Sequence, residues 1–182
     1  PLCELVGKRI GIVGFGRIGR RVGAVAHALG MEVLAYDVQP GSEPDYQPFS
    51  WQSLETIFEE SDVVTLHCPQ TDANVGMVNR ALLSRMKPTA LLVNAARGGL
   101  VHEPDLADAL NRGVLAGAAL DVLSSEPPPA DHPLLHAANC VLTPHIAWAT
   151  REARRRMMVI TAENVAAFLQ GAPQNVVNGV GC

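Results

Sequence analysis

"KRIGIVGFGRIGRRVGAVAHALGMEVLAYD", Lys8 to Asp37, packs a strand, a glycine turn, a helix and a second strand into about thirty residues. The apolar run Ile10–Val13 stops at Gly14. Beyond it Ile18, Val22, Val25, Ala26 and Leu29 recur at spacings of three and four, the period of a helix that turns one face to a core. Gly30 stands where that pattern ends, as a helix cap does, and the chain then resumes as a second apolar strand. Strand, helix and strand at this length form a βαβ unit, whose two strands lie parallel because the helix carries the chain back to the starting edge.

The turn between strand and helix is G-x-G-x-x-G: Gly14, Gly16 and Gly19. Its context gives each glycine a task. The first permits the tight turn, the second lets backbone approach a pyrophosphate, and the third lets helix pack closely on strand. The helix start at Arg17 and Ile18 adds free N–H groups and the positive end of the helix dipole, which attract phosphates. Asp37 closes the second strand eighteen residues beyond Gly19. A carboxylate there accepts hydrogen bonds from the adenosine ribose and repels the extra phosphate of NADP, so the expected cofactor is NAD.

Outward from this unit, Gln39 to Phe49 is rich in Pro, Gly and acidic residues and reads as a surface loop. Ser50 is expected to cap a short helix in "WQSLETIFEES", and "DVVTLHC", Asp62 to Cys68, reads as a third strand. A short helical piece, "NRALLSRM", precedes a fourth strand at Thr89 to Ala96; the helix "EPDLADALNRG" precedes a fifth, "LAGAALDV". After Pro127 to Pro129 comes a brief sixth strand, "CVLTP", and then an amphipathic helix from about Thr150 to Gln170. Its stripe of Ala153, Met157, Ile160, Val165 and Phe168 is expected in a core, with Met158 beside it, and Arg151, Arg154, Arg155 and Arg156 on a solvated face. Mostly apolar strands alternating with helices mean a parallel sheet covered on both faces, a doubly wound, Rossmann-type α/β dinucleotide-binding domain. We place it at residues 1–172, with 173–182 as a C-terminal tail.

Composition excludes several alternatives. With 182 residues, 48% hydrophobic and 18% charged, the chain can bury a core of its own. A net charge of −4 leaves no basic footprint for nucleic acid. No apolar run approaches the roughly 20 residues that span a bilayer, and the start lacks a signal-peptide core, so the expected location is cytoplasmic. Cys3, Cys68, Cys140 and Cys182 are far apart in sequence and the histidines scattered, which predicts reduced thiols and no metal site. The chain opens on Pro1 and not Met, which fits a fragment or a processed product.

In a parallel sheet of this kind, ligands bind outside the carboxyl ends of the strands. Polar residues expected there are Cys68 and Pro69 after the third strand, Asn94 to Arg97 after the fourth, Asp121 after the fifth and His145 after the sixth. Arg97 suits a carboxylate ligand, since a guanidinium fork grips one with two hydrogen bonds where a lysine offers a point charge. Glu126 sits in a proline-stiffened loop, and a carboxylate beside an imidazole such as that of His145 keeps it protonated as an acid.

Taken together, "VGFGRIGRRVG", "YD", "HCPQT", "NAARGGLVHEPDLADAL", "AGAALDV", "SSEPP" and "TPHIAWAT" resemble the NAD-dependent D-isomer-specific 2-hydroxyacid dehydrogenases, from about Leu5 to Val177. The ending "HIAWAT" is most similar to their glycerate dehydrogenase and hydroxypyruvate reductase branch. The resemblance implies that Arg97 holds the substrate carboxylate and that His145, paired with Glu126, donates a proton to the carbonyl of a small 2-oxo acid. It implies that Asp121 lies near the nicotinamide and that Cys68, Pro69, Ala95, Ala96 and Ala147 line the cofactor path. It also implies a homodimer formed through this domain, and a separate substrate-binding domain that this chain lacks. A different class sharing the fold, the NAD-sensing corepressors, would bind NAD without turnover.

Overall fold

A computed structural model describes residues 4–177. The opening Pro1, the thiols of Cys3 and Cys182 and the end of the expected tail lie outside the described residues. The chain divides into two compact units, Pro1–Pro144 and His145–Cys182.

The first unit is built on β1 (Arg9–Val13), β2 (Glu32–Tyr36), β3 (Phe49–Trp51), β4 (Val63–Leu66), β5 (Leu91–Asn94), β6 (Gly117–Leu120) and β7 (Cys140–Leu142). All pair in parallel, in the order β3-β2-β1-β4-β5-β6-β7. The chain winds outward from β1 in one direction and from β4 in the other, so the strand order reverses between them, and a crevice opens at their carboxyl ends. Alternation along the strands feeds two cores. Ile10, Ile12, Val33 and Ala35 point into one; Val13, Leu34, Val64 and Leu66 point into the other, with α2 (Leu54–Glu60), α3 (Arg80–Leu83) and α4 (Glu103–Asn111) supplying further side chains.

The helix α1 (Arg17–Ala28) meets the sheet by only part of the stripe its hydrophobic period suggests: Ala26 is buried and Val22 packs against the core, but the larger residues beside them do not. Gly19, Gly23 and Ala26 are buried, whereas Ile18, Val25 and Leu29 are 66%, 62% and 51% exposed. The cause is closeness of approach. A Cβ on Gly19 would stand 2.2 Å from the Gly14 carbonyl oxygen, and one on Gly23 would stand 2.4 Å from the Tyr46 hydroxyl. Both stripes obey the helical period, but only the small one fits against β1.

Three further expectations change. Phe49–Trp51, expected as the end of a loop and the start of a helix, is the edge strand β3. The cap of α2 is Ser53, whose hydroxyl accepts from Thr56 N at 3.1 Å, and not Ser50, which lies within β3. Tyr46 ties the preceding segment down by stacking on His27 at 4.7 Å, and Phe15, Phe49 and Trp51 complete an aromatic cluster. A three-residue strand is too short to show its period, and these aromatics are ordered by partners far away in sequence. The strand ahead of His145 is therefore the seventh.

In the second unit, Thr150 caps α5 (Arg151–Leu169) by accepting from Ala153 N at 3.1 Å. The arginine face is exposed as expected, but α5 buries none of its side chains, so the expected core stripe is corrected: Met157 and Met158 are 48% and 67% exposed. No helix among the described residues is long and apolar enough to cross a membrane.

Candidate active site

The glycine turn is built as an approach path for a ligand. Gly14 adopts φ +93°, and a Cβ on it would lie 2.4 Å from the backbone nitrogen of Cys68, so the turn presses against the end of β4. Gly16 is exposed, and a Cβ there would meet nothing within 4 Å; the space above it is open. Gly16 is also the N-cap of α1 and offers no side-chain cap, so the exposed residues Arg17 and Ile18 open the helix with their N–H groups uncapped by any side chain. This is an open cradle of donors at the positive end of a helix, which fits a pyrophosphate.

Beside the turn is a cleft of about 360 Å³ whose lining includes Gly14, Gly16, Asp37, His67, Cys68 and Pro69. Asp37 is anchored in it: Oδ2 accepts from Phe15 N at 2.9 Å and Oδ1 from Gln39 N at 3.1 Å. These bonds hold the carboxylate at the rim while each oxygen retains a lone pair for a ribose hydroxyl. Burial lowers the His67 pKa, so its imidazole is neutral, and its Nε2 lies 3.0 Å from the Thr65 hydroxyl. Burial raises the Cys68 pKa, with the negative charge of Asp37 adding to the effect. Cys68 is thus a protonated thiol, a cleft wall and not a nucleophile.

The Arg97 turn begins one strand further along. Asn94, 1% exposed at the end of β5, accepts from Ala96 N at 3.0 Å and donates through Nδ2 to the Arg97 carbonyl at 2.9 Å. Its own carbonyl accepts from Asp121 N at 2.9 Å. One buried amide therefore shapes the turn that carries Arg97 and ties it to β6. Ala95 and Arg97 are exposed, and the guanidinium of Arg97 donates to the Ala96 carbonyl at 2.6 Å. Asp121 is buried and accepts a hydrogen bond from the Thr143 hydroxyl beyond β7. Glu126 lies on the loop after Asp121 and accepts from Leu123 N at 3.0 Å.

The first unit thus gathers the glycine turn, Asp37, Cys68 and Pro69, the Arg97 turn and Asp121 at the carboxyl ends of β1, β2, β4, β5 and β6, with Glu126 on the loop that follows. His145 and Ala147 belong to the second unit. His145 has a left-handed backbone, φ 54°, and its carbonyl accepts from Trp148 Nε1 at 3.0 Å. Sequence reasoning omitted His67, the shaping role of Asn94, and a buried Glu103–His132 pair. The signal available for Asn94 was a polar residue closing an apolar strand; for Glu103 it resembled an ordinary acidic helix start.

A parallel sheet with this strand order, a G-x-G-x-x-G turn opening a helix and an acid closing β2 define a dinucleotide-binding domain of Rossmann type. The chain belongs to the D-isomer specific 2-hydroxyacid dehydrogenases: the model of their NAD binding domain matches residues 1–147. The cofactor of that family domain is NAD. A hydroxypyruvate reductase from Blautia hydrogenotrophica is 47% identical, over 98% of this chain and 55% of its own length. A glycerate dehydrogenase from Methylorubrum extorquens is 42% identical, over 97% of this chain and 55% of its own. The crystal structure of an Aquifex aeolicus D-lactate dehydrogenase complexed with NAD and lactic acid superposes with a TM-score of 0.87 at 34% identity, covering 94% of this chain and 56% of that one. The chain spans about half the length of the curated relatives it matches.

Proposed function

We propose that this chain is the coenzyme-binding domain, residues 1–172, of a cytoplasmic, homodimeric NADH-dependent reductase. Its substrates are small 2-oxo acids of the hydroxypyruvate and glyoxylate type, reduced to D-glycerate and glycolate. The observation that carries the reading is the Asn94-shaped Arg97 turn standing at the same sheet edge as the Asp37-anchored glycine turn, two strands away with β4 between them. This shared edge supports reading Arg97 as an anion-gripping guanidinium that serves the same ligand crevice. Gly14, Gly16, Arg17, Ile18, Gly19 and Asp37 hold the pyrophosphate and adenosine ribose; Cys68, Pro69, Ala95, Ala96, Asp121 and Ala147 line the path of the nicotinamide half. When bound, NADH supplies the hydride. Arg97 grips the substrate carboxylate, His145 donates the proton to the carbonyl oxygen, and Glu126 is the carboxylate assigned as the partner of His145.

That the chain spans about half the length of its relatives supports a substrate site completed by residues outside these 182. The purified 182-residue chain is expected to bind NADH, read by fluorescence titration, while oxidising it poorly or not at all with hydroxypyruvate; the full-length protein turns over at least one member of a 2-oxo acid panel. Bound NADH with no oxidation by any 2-oxo acid in the full-length protein would overturn the reductase reading in favour of NAD sensing.

Cofactor choice has a separate test. Asp37→Ser combined with Val38→Arg, at a position 82% exposed, removes the repelling charge and adds a phosphate ligand while Ser still caps Phe15 N. NADP affinity should rise and NAD affinity fall. Tighter binding of NADP than of NAD by the unaltered chain would remove Asp37 as the selector.

A further inference from the structure

The buried charge that the proposed chemistry does not use is Glu103, the first residue of α4, 7% exposed. Its carboxylate collects three donors. Oε1 accepts from Ser124 N at 2.7 Å, and Oε2 accepts from the Ser124 hydroxyl and lies 3.1 Å from His132 Nε2. His132, 6% exposed, accepts from Leu134 N through Nδ1 at 3.3 Å, which leaves Nε2 as the nitrogen that donates to Glu103. An apolar side chain in its place would leave Ser124 N, the Ser124 hydroxyl and His132 Nε2 as buried donors with no acceptor here. What the carboxylate adds is direction: two of its three bonds fall on one residue.

That residue stands between Asp121 and Glu126. Next to it, Leu123 N donates to Glu126 Oε1. The peptide joining Leu123 and Ser124 is also the surface on which the Arg97 turn rests: a Cβ on Gly98 would lie 2.0 Å from Leu123 C and 2.3 Å from Ser124 N. Glu103 therefore fixes the peptide that supports the Arg97 turn on one side and leads into Glu126 on the other. Asn94 shapes that turn from within, and Glu103 sets where it sits relative to the Glu126 loop.

We propose that Glu103 is a positioning residue of the active site, holding the Arg97 turn and the Glu126 loop in fixed relation through Ser124, with His132 orienting the carboxylate. The proposal rests on the reading of Arg97 and Glu126 as catalytic groups. Displacements on the order of 1 Å at such groups cost up to about 10²-fold in rate, whereas the glycine turn and Asp37, which take the pyrophosphate and adenosine ribose, lie on other loops.

The test uses the full-length protein with Glu103→Gln, Ser124→Ala, their combination, Arg97→Gln, and Ile57→Val as a core substitution remote from these loops. Glu103→Gln keeps the shape and the acceptor for Ser124 N but turns an NH₂ toward His132 Nε2–H. Ser124→Ala removes one bond and leaves the fold's other contacts intact, so it carries the test if Glu103→Gln does not fold. Expected results for both are a kcat per folded molecule lower by about tenfold or more, with KM for NADH within about twofold of the unaltered protein. The combination should fall no further than the worse single variant. Hydrogen exchange should quicken at Leu123–Glu126 and Arg97–Gly99 but not at Gly14–Gly19, while Ile57→Val lowers Tm and leaves kcat and those amides unchanged. An inactive Arg97→Gln alongside full turnover in the Glu103 and Ser124 variants overturns the positioning role alone. Full turnover in Arg97→Gln brings down the catalytic reading and the positioning role with it.

Discussion

On the proposed reductase reading, His145→Gln in the full-length protein is expected to lower kcat by ~10²–10⁴-fold, the range general acid catalysis contributes, with NADH affinity within about twofold of its original value. Glutamine retains a hydrogen-bonding amide of similar reach but has no proton to give near neutral pH. The backbone at this position should survive the change, since the His145 carbonyl is held by Trp148 Nε1 and histidine and glutamine share the same β-carbon geometry. The left-handed φ of 54° is uncommon for a residue other than glycine. It costs about 1 kcal/mol and tends to persist where the position of a side chain matters. Pre-steady-state NADH oxidation and an NADH titration measured on the same preparation separate the two effects. A kcat within about threefold of the original, at any pH, would remove His145 as the proton donor.

Gly14→Ala should produce the largest loss of stability of any single methyl added to the glycine turn. The new Cβ would stand 2.4 Å from Cys68 N and 2.7 Å from both Cys68 Cα and His67 C, all backbone atoms that cannot rotate away. Its φ of +93° is itself strained for an alanine. About 1–2 kcal/mol from the backbone and about 1–3 kcal/mol from overpacking together remove a large part of a typical domain's 5–15 kcal/mol. NADH binding falls as well, because relief of the clash moves the end of β4 and with it the wall formed by Cys68 and Pro69. Gly16→Ala is the informative partner. Its methyl meets nothing within 4 Å, so the urea midpoint should stay close to that of the original chain. The same methyl occupies the space through which a pyrophosphate approaches, so NADH affinity should drop. Equal stability losses in the two variants would mean that Gly14 and Gly16 do not divide the structural and binding tasks.

The class of fold was legible because its signals are local. A glycine turn, a helical period and a closing aspartate lie within thirty residues, and each constrains backbone geometry irrespective of what surrounds it. The same holds for the strand ends: Cys68, Asn94, Arg97 and Asp121 follow apolar runs, and in a parallel sheet the carboxyl ends share one edge. Ser53 in place of Ser50 as the cap of α2, and β3 in place of a loop, mark where local reasoning fails. Two serines three residues apart offer the same chemistry, and pairing with β2 decides between them.

By itself, then, the order of residues determined a doubly wound nucleotide-binding sheet, the glycine turn with its acid, and the strand-end residues available for chemistry. Only the tertiary structure decided which face of α1 meets β1, because two stripes share one period and only contact distance rejects the larger side chains. It alone revealed Asn94 shaping the Arg97 turn, and Glu103, Ser124 and His132 joined across 21 and 29 positions of chain. Hydrogen bonds between residues so far apart leave no periodic trace in a sequence; they exist once the sheet has brought the loops together and burial has made every unpaired polar group costly.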